Sequence, residues 1–300
     1  MPMKISTTTG RLAKAHGEAE AIRMIANAGF DCYDYSNFSI VGWEENPVFG
    51  ADWEAYADSL NAAAKEAGIS CNQSHAPFPS RKMDGKPEDE AYNEIIFDKL
   101  ERSIRFAGRL GAKSIVVHPI KAFPHFGKEA YWKDLNMDFY RSLAPIAKEA
   151  GIRIALENMF VTDPNRKIYT ESTCGDPREF ADWLDTLADD CFTGCLDLGH
   201  CQLGGYDTAY AIRTLGADRL GALHVHDNDY KVDQHMPPFC FNTEAYWDTV
   251  TEALAEIGYR GDMTLESDRM LVKLPVKLYP TGLRFMHDVA RYLADQTEEK

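Results

Sequence analysis

The segment from His224 to His235 carries three histidines and three aspartates within twelve residues. Within it, His226 and Asp233 are candidate ligands in addition to the histidines at its two ends. Imidazole and carboxylate groups are the ligands that Zn, Mn, Fe and Co prefer, and both donate a lone pair near neutral pH. A polar turn with hydrogen-bonded histidines would explain any one of these residues. The cluster as a whole favours a metal site, because similar ligands recur elsewhere in the chain.

Short apolar strands that alternate with helices must position this segment. We predict eight strands, at Lys4–Thr8, Phe30–Tyr35, Ile69–Ser74, Ser114–His118, Arg153–Glu157, Phe192–Asp197, Leu220–Val225 and Asp262–Glu266. We predict eight helices, at Gly17–Asn27, Trp53–Ala67, Glu88–Leu110, Tyr131–Ala150, Pro177–Leu187, Thr208–Leu215, Thr243–Ile257 and Leu278–Gln296. Asp176 before Pro177 marks a helix start, and four glycines mark helix ends, namely Gly68, Gly111, Gly151 and Gly258.

Alternation of strands and helices predicts a parallel sheet, and eight units predict closure into a single (β/α)8 TIM barrel of the α/β class. A doubly wound open sheet is the alternative, but the sequence contains no GxGxxG or Walker loop. We expect residues 1–300 to form one domain, because 300 residues that are 45% hydrophobic suffice for one large core. The longest irregular segments follow strands and are therefore predicted βα loops: 36–51, 76–87, 119–128 and 160–176.

A ligand-type residue ends each of six consecutive predicted strands: His75, His118, Glu157, Asp197, His226 and Glu266. Any one of them could be an incidental polar residue after an apolar strand. A barrel brings all strand carboxyl ends to one rim, so that residues distant in sequence converge there. Clustered carboxylates repel one another in a medium of low dielectric constant, whereas a divalent cation stabilises them. The strand ends therefore predict a metal centre in the barrel mouth.

These strand ends, together with the Leu-Asp-Leu-Gly-His sequence that ends at His200, resemble the xylose-isomerase-like barrel superfamily over essentially the whole chain. Its branches include sugar-phosphate isomerases and epimerases, ketose 3-epimerases, inosose dehydratases and zinc-dependent apurinic-site endonucleases. In the epimerase and dehydratase branches, strands five to eight supply four ligands to one divalent metal. The resemblance implies that these are Glu157, Asp197, His226 and Glu266 here, with His200 as a ligand or a substrate contact.

The endonuclease branch has further ligands, and the resemblance places their counterparts at His75, His118, His200, Asp233 and His235. The mouth could thus hold a second or third metal, although some sugar-acting members also carry an Asp-x-His pair. His224, one pleat below His226, is expected behind the metal, and a shift of one pleat would exchange the two roles. The expected cofactor is Mn, Co, Mg or Zn, with more than one ion left open.

The resemblance departs from the ketose 3-epimerases after the seventh strand, where Tyr230-Lys231-Val232 lacks an Arg that contacts the sugar. Asp163 is expected to replace a substrate-contacting Glu. Other side chains of the predicted βα loops could also contact a substrate: the aromatic Trp43, Phe78, Phe123 and Phe160, and the basic Lys121 and Arg269. The aromatic rings would stack on a sugar and the cations would bind a phosphate or carboxylate. Core packing and surface charge are the respective alternatives.

These residues predict a metal-dependent isomerase or epimerase that acts on a sugar or sugar phosphate. Glu157 and Glu266 are the expected acid and base, which move a proton next to a carbonyl through a metal-stabilised enediolate. A keto-sugar dehydratase or lyase would share the same first steps. A polynuclear-zinc phosphodiesterase of the apurinic-site endonuclease type and a non-catalytic sugar-binding barrel are the remaining alternatives.

The composition limits the partners. Lys plus Arg number 32 and Asp plus Glu 47, which gives a net charge of −15 and argues against nucleic acid and anionic membranes. The seven cysteines lack paired CxxC spacing and indicate reduced thiols, with Cys191, Cys195 and Cys201 expected as packing residues. We find no secretory signal or long apolar run, so we expect a cytoplasmic protein. Barrels of this kind often form homodimers, but no residue pattern identifies an interface.

Overall fold

The computed structural model describes residues 2–38, 43–83 and 85–300. Eight parallel strands form the main sheet: β1 (Ile5–Thr8), β2 (Cys32–Tyr35), β3 (Ser70–His75), β4 (Ser114–Val117), β5 (Arg153–Glu157), β6 (Phe192–Asp197), β7 (Leu220–His224) and β8 (Met263–Leu265). Neighbouring strands pair in chain order, and β8 pairs with β1. A parallel bridge between Val225 and Leu265 joins the end of β7 to β8. The sheet is therefore the (β/α)8 barrel that the alternation predicts.

The longer helices lie at Glu18–Ala28, Trp53–Ala67, Pro87–Leu110, Glu129–Ala150, Pro177–Leu187, Thr208–Arg219, Glu244–Glu256 and Tyr279–Glu299. They confirm the eight predicted helices, with boundaries that differ by a few residues. Elements that the sequence did not predict lie between them: α-helices Gly10–His16, Leu198–Gly204 and Arg269–Val272, 3-10 helices Trp43–Glu45, Pro47–Phe49 and Val276–Leu278, and a hairpin of Phe160–Thr162 with Tyr169–Glu171. Among the described helices, none is both long and apolar enough to cross a bilayer.

Glycines end the long helices where the sequence predicts. Gly68, Gly111 and Gly151 have φ values of 77°, 81° and 66°, in the left-handed region that residues with a Cβ rarely adopt. At a helix start, Asp176 accepts a hydrogen bond from a backbone N–H of the first turn, which also contains Pro177. These caps fix the points at which the chain turns between helix and strand.

The main core lies between the sheet and the surrounding helices. Its largest fully buried side chains include Trp183, Trp247, Tyr140, Phe106 and Phe180. Because side chains alternate between the two faces of a strand, every second residue points away from this core, into the barrel.

The barrel interior holds a second, smaller cluster of buried side chains, Val116, Ala155, Cys195 and Ala222. They belong to β4, β5, β6 and β7 respectively. Two positions further along the same four strands, or directly beyond them, stand ligand-type residues: His118, Glu157, Asp197 and His224. The period of two therefore directs all four side chains to the carboxyl end of the barrel, on the same face as the interior cluster.

Candidate active site at the barrel mouth

Glu157 ends β5 and contacts histidines through both carboxylate oxygens. Its Oε1 lies 2.6 Å from Nδ1 of His224, and its Oε2 lies 2.7 Å from Nε2 of His118. The Nε2 atom of His75 lies 3.0 Å from that of His118. Burial opposes the ionisation of Glu157, but His224 and His118 outweigh it and hold the pKa of Glu157 well below its ordinary value. Glu157 is therefore an anion that two sets of ligand-type residues share.

The first set surrounds Nδ1 of His224. Glu157 Oε1 is 2.6 Å away, Glu266 Oε2 3.1 Å and Asp197 Oδ2 3.9 Å. The ligand atoms of all four residues lie within 4.8 Å of one another. Three carboxylates this close repel one another in a buried site unless a cation lies among them. The geometry therefore suits a divalent cation.

The second set consists of His200, His226, Asp233 and His235, whose ligand atoms also lie within 4.8 Å of one another. His226 Nε2 is 2.9 Å from Asp197 Oδ1, so Asp197 connects this set to the one around His224. His235 Nε2 is 2.9 Å from Asp233 Oδ2. Burial opposes the ionisation of Asp233, but the hydrogen bond and charge of His235 lower the pKa of Asp233 below its ordinary value. A third set is formed by His75, His118 and Glu157, and Cys195 adjoins the first set, because its thiol lies within 4.8 Å of ligand atoms of Glu157 and His224.

Backbone carbonyls orient three of these histidines. Nδ1 of His75 donates to the carbonyl of the next residue at 2.8 Å, Nδ1 of His200 to that of Asn158 at 2.9 Å, and Nδ1 of His235 to that of Glu266 at 2.9 Å. A carbonyl oxygen only accepts, so Nδ1 of each ring carries a hydrogen, and a ring without a second hydrogen has a lone pair on Nε2. Metal-binding histidines are held in this way.

Some oxygens of the mouth have no hydrogen-bond partner among the described residues. They include the buried Oδ1 of Asp233, whereas Oε2 of Glu157 has only the ion-pair contact with His118 described above. A buried acceptor without a partner costs free energy, and a bound cation would satisfy it. Imidazole nitrogens with carboxylate oxygens suit Mn, Co or Zn. The residues present therefore fit a divalent cation, and their three connected sets leave room for more than one.

The structure exchanges the expected positions of two histidines. His224, not His226, groups with Glu157 and Glu266, because β7 pairs with β6 in a register that places His224 opposite Asp197. His226 lies one pleat further along and joins the second set. This corrects the expected placement of the two rings, while their roles as ligands stay predictions.

Two residues that were predicted to contact the substrate, Trp43 and Asp163, interact with other parts of the protein instead. Trp43 is buried in the main core, where its ring packs against Phe49 and Tyr92. The carboxylate of Asp163 accepts hydrogen bonds from the backbone and the side chain of Arg166, within the turn of the hairpin. Neither residue lines the cavity at the mouth. Core packing, the alternative for Trp43, is what the structure has.

Phe123 and Arg269 do not line the cavity either, and both side chains are exposed. The cavity has about 690 Å³ of free volume, including space open to solvent. Its walls include Phe78, whose ring lies 4.8 Å from that of His118, and Phe160, whose ring lies 4.8 Å from that of His200. Lys121 lines the same cavity and donates a hydrogen bond to the carbonyl of Phe160 at 2.6 Å. Aromatic rings thus flank the ligand-type residues on two sides.

The sequence did not reveal two supporting residues. Asp34, fully buried on β2, has Oδ2 3.8 Å from His224 Nε2. Asn158 joins β5 to β6, because its amide accepts from Asp197 N at 2.7 Å and donates to Asp197 O at 2.9 Å. Two sequence patterns could have indicated them: Asp34 lies in the alternating strand Cys32–Tyr35, and Asn158 directly follows Glu157. Neither pattern distinguishes a supporting residue from an ordinary polar one.

Comparisons with known proteins agree with this fold. The family profile described as xylose isomerase-like TIM barrel matches residues 22–289. A D-psicose 3-epimerase from Ruminiclostridium cellulolyticum is 24% identical over 250 residues, which cover 82% of this chain and 76% of that protein. An uncharacterised Mycobacterium leprae protein, ML2432, is 30% identical over 154 residues, which cover 47% of this chain and 51% of that protein, so this match spans about half of each.

A solved structure shows the same architecture. The 3-keto-D-glucoside 4-epimerase from E. coli superimposes with a TM-score of 0.71 at 18% identity, over 95% of this chain and 99% of that one. At this level of identity the similarity concerns the fold, and the chemistry must be argued from the residues in the mouth.

Proposed function

Because this chain belongs to the xylose isomerase-like TIM barrel family, we propose that it is a metal-dependent sugar isomerase or epimerase. The observation that carries the proposal is the convergence of Glu157, Asp197, His224 and Glu266, whose ligand atoms lie within 4.8 Å at the ends of β5 to β8. The names of the related D-psicose 3-epimerase and of the similar 3-keto-D-glucoside 4-epimerase support a sugar as the substrate.

A divalent cation held by these four residues would polarise a substrate carbonyl and stabilise the negative charge that forms when a neighbouring proton leaves. Glu157 and Glu266 both line the cavity; Glu157 ends β5 and Glu266 directly follows β8, and two strands, β6 and β7, lie between these in the barrel. We assign proton removal and return to these two carboxylates, which approach a substrate from different sides of the rim. Phe78 and Phe160 would cover the apolar face of a sugar and exclude water.

Metal content tests the proposed ligands. We would measure metal per chain by elemental mass spectrometry in the wild type, in His224→Gln and in His226→Gln, each purified without added metal or chelator. The proposal predicts about one Mn, Co, Mg or Zn per chain, lost in His224→Gln and retained in His226→Gln. The two variants are a matched pair, because the two rings are buried and lie one pleat apart on the same segment. Loss only in His226→Gln would contradict this ligand set.

Proton exchange tests the proposed chemistry. Incubation with a panel of ketoses in deuterium oxide should place deuterium on the carbon next to the carbonyl, detectable by NMR, and should yield an epimer or isomer. Glu266→Gln should abolish both. A product that has lost water would instead indicate the lyase that shares these steps. Retention of every carbon-bound proton across the panel would contradict the proposal.

A polynuclear-zinc phosphodiesterase is the second candidate, because the three sets of ligand-type residues are connected through Glu157 and Asp197. It predicts two or three zinc ions per chain, with part of the zinc lost in His235→Ala. It also predicts that the zinc-loaded protein cleaves DNA at an abasic site. The net charge of −15 weighs against a DNA substrate, since phosphate backbones bind to clustered Lys and Arg.

A further inference from the structure

Lys121 places a positive charge on the wall of the mouth, where the charges of Glu157 and Asp233 act on it without a direct ion pair. It follows His118 by three residues, and its Nζ donates to the carbonyl of Phe160 at 2.6 Å and lies 4.9 Å from the centre of that ring. Within the described part of the chain, no carboxylate oxygen lies within 4.0 Å of this Nζ atom. Burial lowers the pKa of Lys121 to about 8, so the amine is still mostly charged at neutral pH.

Many Lys and Arg side chains of this acidic chain have no carboxylate within 4.0 Å among the described residues, but most of these are exposed, whereas Lys121 is half-buried on the wall of the cavity. Other cations find carboxylates: Arg109 pairs with Asp58 at 2.7 Å, and Lys113 pairs with Asp262 at 2.8 Å. The charges of Glu157 and Asp233 act on Lys121 from beyond ion-pair distance, and an anion that binds directly beside its ammonium would add a charge-assisted hydrogen bond. The missing partner of Lys121 is therefore best supplied by a ligand.

A second cation reaches the same wall. Arg81 lies in the loop after β3 and lines the cavity together with Lys121 from the loop after β4. No carboxylate lies within 4.0 Å of the Arg81 guanidinium among the described residues. Guanidinium and ammonium groups that face one cavity are the groups that bind phosphate and carboxylate oxygens in proteins. Arg81 and Arg269 are both exposed, but only Arg81 lines the cavity.

We infer that Lys121 and Arg81 form an anion subsite, and that the substrate is an anionic sugar whose phosphate or carboxylate binds there. This inference rests on the proposed function, since it places the reacting carbonyl carbon near Glu157 and Glu266 and the anionic end beside the loops after β3 and β4. The overall charge of −15 repels anions at a distance, so the two local cations are what would make such a substrate bind. A free sugar of the same stereochemistry would leave the subsite unused.

Lys121→Met removes the charge but keeps the length of the side chain, and Lys121→Arg restores the charge. Lys128→Met is the matched control, because Lys128 is an exposed lysine further along the same loop that does not line the cavity. Binding of inorganic phosphate to the metal-loaded proteins would be measured by titration calorimetry. Turnover would be measured with matched sugars that are free, phosphorylated or oxidised to a carboxylate.

We expect Lys121→Met to weaken phosphate binding and to raise KM for the anionic sugar by about 10- to 100-fold, the usual effect of losing a charge-assisted hydrogen bond. Lys121→Arg should recover most of the loss, Lys128→Met should match the wild type with every sugar, and the loss in Lys121→Met should be larger for the anionic sugar than for the free sugar. The preferred sugar, phosphorylated or carboxylated, would identify the anion.

Other outcomes separate this inference from the proposed function. If the wild type turns over free and anionic sugars equally and Lys121→Met changes neither, the subsite is refuted while the isomerase stands. If phosphate binding does not change in Lys121→Met, the subsite is likewise refuted. If no sugar reacts but Lys121→Met weakens phosphate binding as expected, the subsite stands and the proposed function fails.

Discussion

Two glutamates of this protein are almost fully buried, and their pKa values move in opposite directions. Glu157 lies in the barrel mouth between His118 and His224, and their charges hold its pKa well below the ordinary value despite burial. Glu18 begins the helix Glu18–Ala28 on the outside of the barrel, and burial raises its pKa to about 7. The comparison shows that burial alone does not decide whether a carboxyl group is charged.

The partners explain the difference. Burial raises the pKa of Glu18 more than its neutral neighbours, the Thr9 hydroxyl and the Asn37 side chain, lower it. Neither of its carboxylate oxygens has a hydrogen bond of normal geometry to a described residue. Glu157 has two imidazoles at 2.6 and 2.7 Å. The mouth is therefore built to keep a buried carboxylate ionised, which a metal ligand requires, whereas the Glu18 site favours the neutral acid.

The largest expected effect is on activity. Glu157→Gln removes a proposed metal ligand and proton carrier, so we expect kcat/KM for the sugar substrate to fall by about 1,000-fold or more. Glu18→Gln should leave kcat/KM within about 3-fold of the wild type, because it changes neither charge nor shape in the mouth at pH 6. Steady-state assays on both variants would test this. Equal losses in the two would remove the functional distinction between the sites.

The second effect is on stability against pH. The folded-state pKa of Glu18, about 7, lies above the ordinary value of 4.5, so folding favours the protonated acid. Its contribution is therefore complete below about pH 4.5 and is lost as the pH rises towards 7. Glu18→Gln removes this titration. At pH 8 we expect the free energy of unfolding of the variant to exceed that of the wild type by roughly 3 kcal/mol. Near pH 4.5 the difference should almost vanish.

Urea unfolding of both proteins at pH 4.5 and pH 8 measures this difference. Glu20→Gln is the control, because Glu20 is exposed on the same helix and should show no comparable change with pH. A Glu18→Gln protein that is less stable than the wild type at pH 8 would mean that Glu18 is ionised and paired in the folded protein.

The third effect comes from metal removal. A chelator should lower the free energy of unfolding by about 3 kcal/mol if the metal is present at a hundred times its dissociation constant. The described partners of Glu18 and Glu157 are different residues. The increase in the free energy of unfolding that Glu18→Gln causes should therefore be the same with and without metal, to within about 0.5 kcal/mol. Thermal unfolding of four samples, two proteins with and without chelator, measures both quantities. A larger change in that increase would show that the two sites are coupled.

The smallest expected effect comes from the packing of the His226 ring against Gly199. A Cβ added at Gly199 would meet His226 Cε1 at 2.0 Å, and the ring is buried and cannot easily move. We therefore expect Gly199→Ala to destabilise the protein by about 1–3 kcal/mol and to lower activity. Gly204→Ala, in the same short helix, makes only an ordinary contact at 3.5 Å and should be neutral within about 1 kcal/mol. Similar unfolding midpoints for the two variants would show that the His226 ring moves to accommodate the added methyl group.

The site was predictable as far as local pattern reaches. Glu157, Asp197 and Glu266 follow apolar strands whose alternation is visible in the sequence, and the structure brings them within 4.8 Å of one another. The two histidines one pleat apart were not separable in this way. Both His224 and His226 are fully buried, and only the register between β6 and β7 places His224 beside Glu157.

The sequence alone determined the order of strands and helices, the helix ends at glycines such as Gly68, and the positions of Glu157 and Asp197 at the carboxyl ends of their strands. These follow from periods of 2 and 3.6 residues and from backbone preferences, which neighbours in the chain decide. Only the tertiary structure decided that Trp43 belongs to the core and that no carboxylate of the described residues lies within 4.0 Å of the Lys121 ammonium. Burial and charge pairing depend on residues far apart in the chain, so no local pattern contains them.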